Sequence, residues 1–201
     1  MNNQITFVGD VHQNYKFLYN SIDQNKSSSL ILCVGDIELG QPSCPNLKKL
    51  PKKFKFLQGN HDSIEECNKY SNFLGRFGYI RKYDLFYIGG AMTPPHPRWI
   101  AGYNWWDTEE LTLREMKEAA DLYNKIKPSL LVTHDCNESI ARLLLPEIEH
   151  ISNTQRLIEN LKLNHQPKYH VFGHWHTSFK QKINNTFCTC VPKHGIHNII
   201  L

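Results

Sequence analysis

Long hydrophobic runs are missing from this 201-residue sequence. No window approaches the ~20 apolar residues of a membrane span. The stretch from Met1 to Val8 has neither a basic start nor an apolar core of leader length. Cys-x-x-Cys spacing is missing as well. The six cysteines are Cys33, Cys44, Cys67, Cys136, Cys188 and Cys190, and the last two stand too close together for the usual structural zinc hook. Reduced thiols, a cytoplasmic location and no membrane partner are therefore expected. A strong excess of either charge is also absent. A net charge of +4 is mild, whereas nucleic-acid binders concentrate basic charge on one face, so no nucleic-acid partner is expected. The one basic cluster, Lys48, Lys49, Lys52, Lys53 and Lys55 around Pro51, reads as a solvated connector. Repeats, low-complexity tracts and linkers are lacking too. With 40% apolar and 21% charged residues, disorder and fibrous classes are excluded, and the length fits a single domain over 1–201.

What the sequence does contain is a series of short β-branched or aromatic runs. They are Ile5–Val8, Leu30–Val34, Phe54–Leu57, Leu85–Ile88, Leu130–Thr133 and Tyr169–Phe172, each of buried-strand length and each ending at Gly or a polar residue. Helical patterns lie between them. Asn14–Asn20 is short. Thr112–Lys127 places Leu113, Met116, Ala120 and Tyr123 on one apolar face, opens with a Thr112/Glu115 capping-box pattern and stops at Pro128. A further helix is predicted over Asn153–Leu163. A hairpin turning at Asn184-Asn185 and a closing strand over Asn198–Leu201 follow. Strands alternating with helices indicate an α/β layered fold.

The chemistry sits just beyond those strands. Gly9-Asp10-Val11-His12 follows the first, Gly35-Asp36 the second, and Gly59-Asn60-His61-Asp62 the third. Later strands lead into His134-Asp135 and Gly173-His174-Trp175-His176. Any one of these has a bland explanation: a Gly-Asp turn, a capped strand end, a surface histidine. His174-x-His176 is more pointed, since i, i+2 on an extended segment puts both rings on one side. Five strands delivering Asp, His or Asn at their C-terminal ends is a different matter, because that edge is where α/β sheets place ligands. The donors are oxygen and nitrogen with no thiolate, suited to Mn, Fe or Zn rather than Ca or a structural zinc. Two ions ~3.5–4 Å apart need about seven donors with a bridging carboxylate, and the sequence supplies them.

Those same blocks resemble the five motifs of the calcineurin-like metallophosphoesterases. The spacing of 24 residues from His12 to Asp36, and again from Asp36 to Asn60, is similar to that family, and the motifs run from residue 9 to 176. The resemblance implies a four-layer αββα sandwich and hydrolysis of phosphomonoesters or phosphodiesters. It implies Asp10, His12 and His176 around one divalent ion, Asn60, His134 and His174 around a second, and Asp36 bridging both. Manganese is the favoured metal, with iron, zinc and nickel accepting the same donors. A hydroxide formed from a bridging water would attack phosphorus. His61 would protonate the leaving oxygen, with Asp62 orienting its ring.

The pattern departs from the family's protein phosphatases in two places. Gly35-Asp36-Ile37-Glu38-Leu39-Gly40 lacks the Arg those enzymes carry after the second motif, and Asp62 stands where Glu is usual. A protein Ser/Thr-type phosphatase, a nuclease acting on DNA or RNA, and a non-catalytic scaffold remain the alternatives. The insert at 92–110, rich in Pro and aromatics, is similar to a segment in small bacterial and phage relatives. Arg98 and His96 are its candidate phosphate contacts, while its tryptophans have packing as the simpler role. His150, His165, His194 and His197 have no motif around them and are expected at the surface.

Overall fold

The structure is a computed structural model that describes residues 3–47, 50–94 and 96–201. Lys48 and Lys49 of the basic connector, and Pro95 of the insert, lie outside the described residues. The chain folds into two sheets flanked by helices. The first sheet joins three parallel strands, β1 (Gln4–Val8), β2 (Leu30–Cys33) and β3 (Phe54–Phe56), with β10 (Ile196–Ile200) antiparallel beside β1. The second runs in the order β4 (Phe77–Ile80), β5 (Leu85–Ile88), β6 (Leu130–Thr133), β7 (Tyr169–Phe172), β9 (Thr186–Cys190) and β8 (Phe179–Ile183). Its four middle strands are parallel and its two outer strands antiparallel.

The layers follow from which side chains each strand sends to which face. Ile5, Phe7, Leu30 and Leu32 of the first sheet meet Leu85, Tyr87, Leu130, Val132 and Val171 of the second in one buried cluster. The alternate residues, Val8, Ile31, Cys33, Phe54 and Phe56, face outward onto α1 (Tyr15–Gln24) and α2 (Ile64–Cys67). On the far side, Phe86, Ile88 and Leu131 pack under α3 (Leu113–Ile126) and α5 (Asn153–Asn164). Phe172, Cys188 and Cys190 pack under α4 (Glu138–Leu144). This is helix, sheet, sheet, helix. Parallel strands buried on both faces explain the near-continuous apolar runs in the sequence.

The helix starts follow their capping chemistry. The Thr112 hydroxyl accepts from the Glu115 N–H while the Thr112 N–H donates to the Glu115 carboxylate, closing the capping box, and Lys127 ends the helix in the left-handed region before Pro128. Its buried face differs from the expected one. Met116, Ala119 and Tyr123 are buried, whereas Leu113 is 79% exposed. The first helix extends to Gln24, beyond the expected Asn20, since Leu18, Ser21 and Ile22 all reach the core. No helix among the described residues is long and apolar enough to cross a membrane.

Candidate metal centre

The C-terminal ends of β1, β2, β3, β6 and β7 converge, and the loops leaving them are tied to one another. Val11 and His12 both donate backbone N–H to Asp36 O at 3.0 and 2.9 Å, and Gly173 donates to His134 O at 3.0 Å. Two glycines are needed because carboxylates come so close. A Cβ on Gly59 would sit 2.0 Å from Asp36 Oδ1, and one on Gly173 would sit 2.4 Å from Asp10 Oδ1.

Seven expected ligands gather in two groups. In the first, one donor atom each from Asp10, His12, Asp36 and His176 lies within 4.8 Å of the others. His12 Nε2 is 2.7 Å from His176 Nε2 and 3.5 Å from Asp36 Oδ2, while His176 Nε2 is 3.3 Å from Asp10 Oδ2. In the second, Asn60 Oδ1 lies 3.0 Å from both His134 Nε2 and His174 Nδ1. Asp36 faces both groups, since its Oδ1 is 3.5 Å from His134 Nε2.

The chemistry of these residues fits bound positive charge. His134 Nδ1 stands 2.8 Å from the Val34 carbonyl, which can only accept, so that nitrogen carries the proton. A neutral ring then turns its Nε2 lone pair toward the Asn60 oxygen, acceptor against acceptor. Only positive charge, a proton or a metal ion, relieves that opposition. Asp10 Oδ1 is buried with no hydrogen-bond partner, which is costly for a carboxylate unless a cation meets it. Titration follows the same logic. Burial resists charge on His12 and His134, yet the surrounding carboxylates hold both above the usual histidine value. Burial opposes ionisation of Asp36, but His134, His61 and His12 hold its carboxyl well below the ordinary range.

Three expectations need correction. His174 and His176 do not share an extended segment. Both have left-handed backbone, with φ of 66° and 51°, and the turn between them sends one ring to Asn60 and the other to His12. Asp62 does not orient the His61 ring. It is fully buried, and its oxygens accept from Leu39 N–H at 3.0 Å and Gly59 N–H at 2.8 Å, so it braces the loop instead. Burial and then the neighbouring Asp36 push its carboxyl up. The histidines expected at the surface are not all there. His165 is half-buried, with its ring on the Pro128 carbonyl at 2.9 Å, and His197 stacks on Phe7 with centroids 6.3 Å apart.

Sequence reasoning missed the residues that hold the ligands in place. Glu38 Oε1 bonds His12 Nδ1 at 2.7 Å, which points Nε2 at the cluster. Asn60 Nδ2 donates to Thr93 Oγ1 at 2.9 Å. Thr93 in turn donates its hydroxyl to Glu109 Oε2 and its N–H to Glu109 Oε1 at 2.9 Å. With its proton given to Glu109, the Thr93 oxygen must accept from Asn60, and this fixes which way the amide points. A Glu two residues past Asp36 was a readable signal for Glu38; Thr93 and Glu109 left none.

Above the cluster opens a cavity of about 530 Å³ whose lining includes Asp36, Asn60, His61, Trp99, His174 and His176. The half-buried His61 ring stands between Trp99, 5.1 Å away, and His12, 5.5 Å away. His150, expected to be an idle surface residue, is exposed but lines this cavity. Arg98 and His96 do not line it. Both are exposed, with the Arg98 N–H bonded to His96 Nδ1 at 3.1 Å. Of the insert's tryptophans, Trp99 walls the cavity.

A family model described as calcineurin-like phosphoesterase matches residues 4–178. Among solved structures, a protein of Thermus thermophilus superposes with a TM-score of 0.57 at 8% identity, covering 100% of this chain and 99% of its own. A second T. thermophilus protein, described as hypothetical, gives 0.52 at 12% identity over 94% of this chain and 76% of its own. A candidate 5′-nucleotidase from Staphylococcus aureus, solved with α-ketoglutarate, gives 0.57 at 13% identity. It matches 98% of this chain, which spans 50% of that protein. At such identities the likeness concerns the fold alone. No curated protein matches the chain by sequence.

Proposed function

Since the chain belongs to the calcineurin-like phosphoesterases, we propose that it hydrolyses phosphoric esters with two divalent metal ions. Asp10, His12 and His176 would hold one, Asn60, His134 and His174 the other, and Asp36 would serve both. When bound, such ions act as Lewis acids that neutralise phosphoryl oxygens and lower the pKa of water. The remaining work falls to the protein. Glu38 keeps His12 turned by accepting from its Nδ1. Thr93 and Glu109 keep the Asn60 oxygen turned inward. His61 belongs to neither donor group. Its backbone N–H anchors on Asp36 Oδ1 at 3.0 Å while its ring faces the cavity, placed to protonate a departing alkoxide from a ring nitrogen.

The observation that carries this reading is the opposition of the His134 Nε2 lone pair and the Asn60 oxygen beside the unpartnered Asp10 oxygen. Elemental analysis after Mn²⁺ reconstitution tests it, together with hydrolysis of p-nitrophenyl phosphate and bis-p-nitrophenyl phosphate before and after chelation. About two ions per chain and chelator-sensitive turnover of either ester are expected. Absence of bound metal, or turnover that survives chelation, would refute it.

A further inference from the structure

The cavity over the donor cluster has walls unlike its floor. Met92, Pro94 and Trp99 of the insert come together there with Leu145, Ile148 and Trp175. Both indoles are held in place. Trp99 Nε1 donates to the Pro94 carbonyl and Trp175 Nε1 to Asp135 Oδ1, each at 2.9 Å. Flat apolar surfaces fixed before a ligand arrives favour a flat apolar ligand, and about 530 Å³ is in the size range of small-molecule sites. The wall charges point the same way. Among the described residues no lysine or arginine lines the cavity; its charged wall residues are Glu147 and Glu149, both exposed, next to His150. A phosphoryl group at the floor would meet the ions and His61. A second anion on the alcohol would meet two carboxylates and apolar walls, with no lysine or arginine to pair it.

Resting on the hydrolytic reading above, we propose that the substrates are phosphoesters of aromatic or apolar alcohols that carry no further negative charge. Glu147 and Glu149 act as the excluding element. A repeating phosphate backbone is poorly served by this cavity for the same reason.

Three esters of similarly basic alkyl alcohols test this on the Mn²⁺-reconstituted protein: benzyl phosphate, ethyl phosphate and 4-carboxybenzyl phosphate. Benzyl phosphate should exceed ethyl phosphate in kcat/KM by at least about tenfold, as apolar pockets discriminate. It should exceed the carboxylated ester by a similar factor, growing at low ionic strength. The double variant Glu147→Lys/Glu149→Lys changes only exposed side chains, and it should narrow the second gap while leaving the first unchanged. The matching phosphonates, followed by quenching of tryptophan emission, should rank the same way in affinity. Equal kcat/KM for benzyl and ethyl phosphate, or a carboxylate penalty untouched by the double variant, would overturn the proposal. If none of the esters is hydrolysed, the catalytic reading fails. The phosphonate series still decides this one, with equal affinities counting against it.

Discussion

Thr93→Val is the sharpest probe of how the second donor group is held. The two side chains are nearly the same shape, so the change removes a hydroxyl without opening a cavity. Asn60, 1% exposed, then has no acceptor for its Nδ2–H, and Glu109, 7% exposed, loses the hydroxyl that bonds its Oε2. An unsatisfied buried polar group costs about 1–3 kcal/mol, and more if charged. Two such groups imply a loss of roughly 2–5 kcal/mol, a fall in Tm of the order of 5–15 °C for a chain of this size. Stability alone would not single out a positioning role. The Asn60 amide, free to turn, would also present Nδ2–H to His134 Nε2 in place of its oxygen, exchanging a ligand for a hydrogen-bond donor. Loss of such a support typically weakens metal affinity about 10–100-fold. Calorimetric titration of the metal-free protein with Mn²⁺ should resolve the two ions. The one assigned to Asn60, His134 and His174 should weaken by that factor. The one assigned to Asp10, His12 and His176 should not, because none of those side chains bonds Thr93. Equal weakening of both ions, or of neither, would refute the relay from Glu109 through Thr93 to Asn60.

Asp36→Asn should weaken both ions together, since Asp36 faces both groups, and elemental analysis after dialysis would show it. His61→Ala should keep the metal content and slow alkyl phosphates by about 10²–10⁴-fold. p-Nitrophenyl phosphate, whose leaving group needs little protonation, should slow less; equal losses would remove His61 from the acid role. Asp84 gives a pH prediction away from the metals. Burial opposes its ionisation, but bonds from Ser129 and from the Tyr79 hydroxyl lower its pKa in the folded state. Its stabilisation is therefore complete above the unfolded value near about 3.9 and is lost as pH falls through the lower folded value. Asp84→Asn tolerates the left-handed φ of 45° there. It should destabilise the fold above about pH 5 and converge with the natural chain at lower pH. A difference in denaturation free energy that stays constant with pH would exclude that assignment.

Much of the sandwich was legible because parallel strands buried on both faces leave short, unbroken apolar runs. Leu85–Ile88, Leu130–Thr133 and Tyr169–Phe172 have the same bounds in sequence and structure. Phe77–Ile80 escaped notice because it is an edge strand, half-buried throughout and interrupted by Gly78, so it lacks the apolar signature. The helices Ile64–Cys67 and Glu138–Leu144 are too short for a helical period to stand out. The seven candidate donors, which the structure brings together, stood out because Asp, His and Asn at strand ends are unusual in combination. Their supports were not. Thr93 lies 33 residues from Asn60 and 16 from Glu109, and nothing periodic links such positions. The same holds for the cavity, whose walls combine Met92, Pro94 and Trp99 of the insert with Leu145, Glu147, Ile148 and Glu149 of a later loop.

The misread His174–His176 turn points to how the site is built. Four of the seven donors, His12, Asp36, His174 and His176, have backbone in the left-handed region, with φ between 39° and 66°. For residues other than glycine this is strained by about 1–3 kcal/mol each. An extended strand end would have sent the His174 and His176 rings the same way, toward a single ion. The left-handed turns separate them, so that neighbouring motif residues serve different donor groups. The strain is offset by bonds that bind one loop to the next: Val11 and His12 onto Asp36 O, His174 N–H onto Asp10 Oδ2, and Gly173 onto His134 O. Each such bond joins loops from different strands, so no motif holds its geometry alone. Geometry of this kind is set by the assembled edge of both sheets, which is why the residue types could be read along the chain and their directions could not.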